Sequence, residues 1–225
     1  MIYNNVLEGV FVRRPNRFIA IVNINSVENV VHVKNTGRLG ELLYEGARVY
    51  VEESNNPLRK TKYDLIAVFK DDVLYNIDSQ MPNKVFGEYI KNGSMFEDVK
   101  LIKPECTYKS SRFDFYVEYK DKKAFIEVKG VTLEKNGVML FPDAPTARGV
   151  KHINELCECV KDGYEAYVVF VIGADAGRVF APNRERHEEF ATALETAKRK
   201  GVKIIAKRCS VEKNCVKIKD DIDVC

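Results

Sequence analysis

At 225 residues, with 45% hydrophobic side chains and 36 basic against 33 acidic residues, the chain has the composition of a folded protein with one large core or two modest ones, which excludes disorder. A net charge of +3 is too balanced to mark a nucleic-acid binder by itself, so any basic surface has to arise from folding. The opening MIYNNVLEGV lacks a signal-peptide pattern, the longest apolar run, AYVVFVI, is far too short for a bilayer, and the six cysteines include no C-x-x-C pair; a cytoplasmic protein with free thiols is expected.

In chain order, VLEGVFVRR, FIAIVNI, NVVHVK, ARVYVEES and YDLIAVF are short apolar stretches at regular spacing with no helical period. Five such strands predict a five-stranded oligonucleotide-binding type of β-barrel over residues 1–78. Between them lie RRPNR, KNTGR and NNPLRKTKY, whose Arg13, Arg17, Asn35, Arg38, Arg59 and Lys60 suit phosphate. MPNKVFGEYIKNG then has a Pro near its start, apolar residues at helical spacing and a closing Gly, so it predicts a short helix.

Residues 79–225 form the second expected domain. A strand at RFDFYVEY, a strand at AFIEVKGV, a helix from about Thr146 to Asp162, a strand at AYVVFVI, a helix from about Glu185 to Lys200 and a strand at VKIIAK make an α/β pattern, a mixed sheet flanked by helices. With the barrel, the whole chain reads as α+β.

The stretch FIEVKG places Glu127 and Lys129 on one face of a strand that is otherwise apolar. Such a face is solvated, internally paired, or lines a site for something charged. On the preceding strand, Arg112, Asp114, Tyr116 and Glu118 are expected to share one face, with Phe113, Phe115 and Val117 on the other. A two-residue turn at Asp121 and Lys122 sets Asp114 opposite Lys129, whereas a four-residue loop starting at Tyr119 sets it opposite Glu127. In either register Asp114, Glu127 and Lys129 come together, and two carboxylates at that separation suit a divalent cation. An exposed Asp114–Lys129 ion pair is the competing reading.

A second constellation is FPDAPTARGVKH, in which Thr146 predicts a helix N-cap and Arg148, Lys151 and His152 follow at helical spacing. Free backbone N–H groups beside these side chains suit a phosphate.

Taken in order, RRPNRF, NTGR, NNPLRKTKY, QMPN, SRFDF, FIEVKGVTL, FPDAPTARGVKH and GYEAYVVFVI resemble the sugar fermentation stimulation protein (SfsA) family over nearly the whole chain. The resemblance implies an oligonucleotide-binding barrel joined to a restriction-endonuclease-like domain of the PD-(D/E)xK type, a DNA-binding role and a regulatory link to sugar use. It makes Asp114, Glu127 and Lys129 the nuclease motif, with Glu105 as an additional acidic residue. Two departures stand out: Lys109 follows Tyr108 where relatives commonly carry glycine, and His187 stands where an aspartate is expected.

The expected activity is therefore metal-dependent hydrolysis of DNA. Asp114, Glu127 and Glu105 would hold Mg²⁺ or Mn²⁺, Lys129 would orient the attacking water, and Arg112, Arg148 and His152 would join the barrel loops in contacting nucleic acid. The alternative is a non-catalytic DNA-binding regulator of sugar-metabolism genes. Because both strands of a duplex need cutting, a homodimer is the expected assembly.

Overall fold

The structure, a computed structural model, describes residues 1–225. Six strands open the chain: β1 (Val6–Asn16), β2 (Ile19–Ile24), β3 (Val27–Val33), β4 (Arg48–Glu53), β5 (Tyr63–Lys70) and β6 (Val73–Asn76). The first five close into the expected barrel, because β3 also pairs in parallel with β5 through Val31–Tyr63, His32–Asp64 and Val33–Leu65. Alternation explains the closure. Ala20, Val22 and Ile24 of β2, Val31 and Val33 of β3, and Val49 and Val51 of β4 point inward around Leu42 and Leu65, and all are buried.

Helix α1 (Met81–Lys91), which carries Pro82 in its first turn, leads into the second unit. There follow β7 (Val99–Tyr108), β8 (Ser111–Tyr119), β9 (Lys122–Val131), β10 (Leu133–Lys135), β11 (Val138–Phe141), α2 (Ala147–Lys161), β12 (Glu165–Ile172), β13 (Val179–Pro182), α3 (Glu188–Arg199), β14 (Lys203–Val211) and β15 (Val216–Val224). They form one mixed nine-stranded sheet in the order β10-β11-β13-β15-β14-β12-β9-β8-β7.

At its centre β12 runs parallel to both β9 and β14, and every residue from Ala166 to Ile172 is buried. That burial on both faces is why AYVVFVI reads as an unbroken apolar run. Helices α2 and α3 cover one face over Phe113, Phe125, Phe170 and Phe180; α1 covers the other over Phe115, Ile126, Val128 and Val169.

Phe113 and Phe115 were expected on one face, and the structure separates them. The Phe113 ring lies 5.6 Å from that of Phe125 and 5.8 Å from His152 under α2, whereas the Phe115 ring lies 5.7 Å from Phe86 of α1. The strand turns over between them, at Asp114.

The two units share a core. Tyr3, Ile66, Ala67 and Leu74 from the barrel side pack in the same cluster as Val85, Phe86, Phe115 and Val169. Isolated bridges at Ile2–Cys215 and Tyr75–Ala174 tie the same joint. No helix is long and apolar enough to cross a membrane.

Candidate active site

Strands β8 and β9 form a tight hairpin that turns at Lys120 and Asp121, with Lys120 at φ 48°. The ladder runs from Tyr119–Lys122 to Phe115–Ile126, so of the two registers open to the sequence it takes the one that sets Asp114 opposite Glu127. There the ladder stops. The Asp114 carboxylate enters where the next backbone bond would fall: its Oδ2 accepts from Val128 N–H at 2.7 Å and its Oδ1 from Asn83 Nδ2 of α1 at 2.7 Å. Close approach of α1 depends on Gly130, since a Cβ there would lie 2.8 Å from Pro82 Cγ.

Glu127 is 3% exposed. Its Oε1 accepts from Lys129 Nζ at 2.5 Å and lies 2.6 Å from His152 Nδ1. Arg148 Nε donates to His152 Nε2 at 3.4 Å, which assigns the imidazole proton to Nδ1 and makes His152 the donor to Glu127. Both donors thus fall on one oxygen. The other, Oε2, is buried without any hydrogen-bond partner. A buried carboxylate oxygen left bare is costly, and such an atom marks the place for a cation or a donor from a ligand.

The two carboxylates are driven apart electrostatically. Burial, then the neighbouring charge of Glu127, pushes the Asp114 carboxyl above the usual range, against the Val128 N–H, Asn83 and Lys129. Burial also pushes Glu127 up, but the His152 hydrogen bond and the Lys129 charge outweigh it and hold that carboxyl below its ordinary value. Two acids 13 positions apart in sequence therefore sit side by side with different proton affinities.

Other expected site residues are placed differently. Glu105, at φ 51° on the edge strand β7, is exposed and pairs with Arg112 Nη2 at 3.3 Å; its carboxylate makes no hydrogen bond to Asp114 or Glu127. No group of three or more His, Cys, Asp or Glu side chains converges as a metal-ligand set. His152, read from the sequence as a phosphate contact, is buried and turned inward onto Glu127, because its helix packs that face on β9. Arg148 remains exposed, and Lys151 donates to Ser110 O at 3.0 Å.

The helix cap at Thr146 is present: its Oγ1 accepts from Gly149 N–H at 3.0 Å. Thr146→Ala is expected to cost about 1 kcal/mol in chemical denaturation. His187, which stands in the position expected to hold an aspartate, accepts from Thr146 N–H at 3.4 Å through Nδ1 and so serves the same helix start.

On the barrel, Arg13, Arg17, Arg38 and Lys60 are exposed, with Arg17 over the Phe18 ring at 5.0 Å. Asn35 is half-buried and its Oδ1 accepts from Gly37 N–H. Arg59 is not free for phosphate. Asp64 holds its guanidinium through both oxygens, at 2.6 and 2.9 Å, and also bonds His32 at 2.9 Å. Nothing in the residue pattern beyond its place in RRPNR points to the role of Arg14. Its two terminal nitrogens donate to the carbonyls of Arg17, Asn35, Gly37 and Arg38, all within 2.9 Å, and so bind two of the basic loops into one surface.

Asp64 carries a pH signature. Burial pushes its carboxyl up, but Arg59, His32 and Lys34 outweigh this and bring it from 3.8 down to about 2. A lowered folded-state value contributes stability above the ordinary value that is lost as pH falls through the folded one. Asp64→Asn is therefore expected to destabilise the protein by about 2 kcal/mol at neutral pH, and the gap to the parent should close in acid melts between about pH 4 and 2.

A closed barrel of oligonucleotide-binding type, fused through a shared core to a mixed sheet with a charged hairpin, defines the class. Residues 12–77 match the SfsA N-terminal OB domain, and residues 80–215 match the sugar fermentation stimulation protein RE domain. The chain belongs to the sugar fermentation stimulation protein family. A sugar fermentation stimulation protein homolog of Clostridium beijerinckii is 56% identical over 224 residues, covering 100% of this chain and 99% of its own. One from Ruminiclostridium cellulolyticum is 53% identical with the same coverage. The solved structure of Pyrococcus furiosus SfsA in complex with Ca²⁺ is 28% identical, covers 100% of this chain and 97% of its own, and superposes with a TM-score of 0.91.

Proposed function

We propose that this protein is a metal-dependent deoxyribonuclease of the PD-(D/E)xK type, which holds DNA on the barrel and hydrolyses phosphodiesters at Asp114, Glu127 and Lys129. The observation that carries this reading is the buried, unpartnered Oε2 of Glu127, the residue that the hairpin register sets opposite Asp114. Asp114 and Glu127 would hold Mg²⁺ or Mn²⁺, hard cations that keep several waters and so need few protein ligands. Such an ion, when bound, supplies charge neutralisation at the phosphate and a more acidic water. The related Pyrococcus furiosus protein has been solved with Ca²⁺, another cation of oxygen ligands.

Each remaining task falls to a residue of the chain. Lys129 presents a compact ammonium that can orient water and balance charge developing on the phosphoryl oxygens. Asn83 and His152 fix the two carboxylates, and Arg148 in the first turn of α2 offers a guanidinium to the phosphate backbone. On the barrel Arg13, Arg17, Arg38 and Lys60, with the Arg17–Phe18 pair, supply charge and a stacking ring for DNA. A homodimer would bring two such sites to the two strands of a duplex in the cytoplasm.

One observation favours a second reading, a non-catalytic DNA-binding regulator of sugar-metabolism genes. Only two carboxylates converge, and Glu105 stays outside. Cleavage of labelled single-stranded and duplex DNA with Mg²⁺ or Mn²⁺, beside EDTA and the Glu127→Gln variant, separates the two. Metal-dependent cleavage that vanishes in Glu127→Gln is the expected result. Salt-sensitive binding that survives EDTA and leaves DNA whole would replace the nuclease with the regulator.

A further inference from the structure

The joint between barrel and sheet encloses a cavity of about 190 Å³, whose wall includes Gly130, the residue directly after Lys129. Its lining carries no lysine or arginine. Phosphate is therefore a poor occupant, and a neutral group a good one. Walls of Pro82, Leu133 and Phe141 are apolar, and three polar side chains are free to meet a ligand. Asn35 spends its oxygen on Gly37 N–H and keeps its amide N–H₂; Thr132 and Asp143 make no side-chain hydrogen bond or ion pair. The buried Asp78 at the floor calls for no cation, since Lys34 at 3.0 Å, Tyr3 at 3.3 Å and Gln80 N–H at 2.9 Å already satisfy it.

The roof is made by contact between the two units, because Asp143 Oδ2 lies 2.9 Å from where a Cβ on Gly37 would stand. Just outside, the adjoining cleft is lined by Arg38 and Arg186, both exposed. A slot of mixed polar and apolar lining, in which one carboxylate and one amide are left unengaged by the protein, rimmed by two guanidiniums, has the chemistry of a nucleotide taken apart: base inside, phosphates at the mouth.

We propose that this interdomain cavity receives a single unstacked nucleobase of a bound strand, with Asp143 accepting from an exocyclic amino group and Asn35 donating to a ring nitrogen or carbonyl. The proposal rests on the nuclease reading for its substrate class and makes that class single-stranded or locally opened DNA, since a stacked and paired base cannot enter. A free sugar fits less well, because Asn76, Asp78 and Ser79 are already hydrogen-bonded within the protein and the polar side chains left over are too few for its hydroxyls. Adenine, cytosine and guanine offer the amino group and thymine does not, so the slot disfavours thymine.

The test uses the full chain in EDTA, so that binding is read without cleavage, and single-stranded oligonucleotides with 2-aminopurine placed at successive positions. At one position emission is expected to rise severalfold on binding, and an abasic site at that position to weaken binding about tenfold. Thr132→Trp, which fills the cavity, should abolish both effects; Asp143→Leu, at an exposed position that leaves the fold alone, should reduce both. Unchanged emission at every position, a rise that survives both variants, or no binding of single strands overturns the proposal. Cleavage with no emission change removes the base slot and leaves the nuclease standing. An emission change that Thr132→Trp and Asp143→Leu suppress, in a protein that never cuts with metal, supports the slot and removes the nuclease.

Discussion

Lys129→Met is expected to lower metal-dependent cleavage by about 10²–10³-fold, the loss typical when one group aimed at developing transition-state charge is removed. Lys129 Nζ sits 2.5 Å from Glu127 Oε1 on a side chain that is 18% exposed, so water replaces the ammonium poorly. Affinity for DNA in EDTA should stay within about twofold of the parent, which places the loss in turnover rather than in binding. Lys129→Arg is not expected to rescue the rate, since a planar fork cannot take the position of a compact ammonium against Glu127. Removing the ammonium also removes a charge that holds the Glu127 carboxyl down, so the acid limb of any residual pH–rate profile should move to higher pH. Parental cleavage rates in both variants would take Lys129 out of the chemistry.

The second large effect is on stability. Phe170 lies on the central strand β12 with no exposure, stacked on Phe180 at a centroid distance of 4.0 Å and tilted against Phe141 at 5.6 Å. Phe170→Ala is expected to cost about 3–5 kcal/mol, the transfer free energy of the ring plus the void it leaves. In a protein whose total stability is about 5–15 kcal/mol, that is a large share, and the midpoint of thermal unfolding should drop by roughly 10 °C. Because Phe141 also leans on Phe190 at 5.2 Å, the loop that follows it should loosen, and faster amide exchange over residues 142–146 is the accompanying signature. A loss below about 1 kcal/mol would show that the neighbours collapse into the space.

How far these features could be read from residues depends on where each one's cause lies. The five barrel strands were legible as short apolar stretches at regular spacing between polar loops, although β5, buried throughout from Tyr63 to Val68, carries no alternation. The centre of the second sheet was legible from an apolar run bounded by charge. Strand β7 was missed because it is an exposed edge strand, and it carries Pro104, which edge strands tolerate. Three- and four-residue strands such as β10, β11 and β13 are too short to show a period at all.

At the site, the opposition of Asp114 and Glu127 follows from hairpin geometry and needed only the turn to be fixed. The His152–Glu127 bond is set by how α2 lies across the sheet, which no local pattern encodes. Arg59 misleads for a related reason. Its partner Asp64 is five residues away but on the next strand, and only closure of the barrel turns that carboxylate back toward the loop. The reversal between Phe113 and Phe115 has the same tertiary origin, since the carboxylate of Asp114 takes a backbone donor that a regular ladder would have used.

The shared core of Tyr3, Ile66, Ala67 and Leu74 with Phe86, Phe115 and Val169 has a consequence for measurement along a strand. Were the barrel joined to the sheet by a flexible leash, anything gripped by its loops would reach Asp114 and Glu127 at a range of spans. Welded as they are, the two units behave as the jaws of a calliper locked at one opening. A strand held on the barrel, as proposed, would meet the charged hairpin at a constant offset, with the gauge set by packing rather than by any contact with the strand being measured.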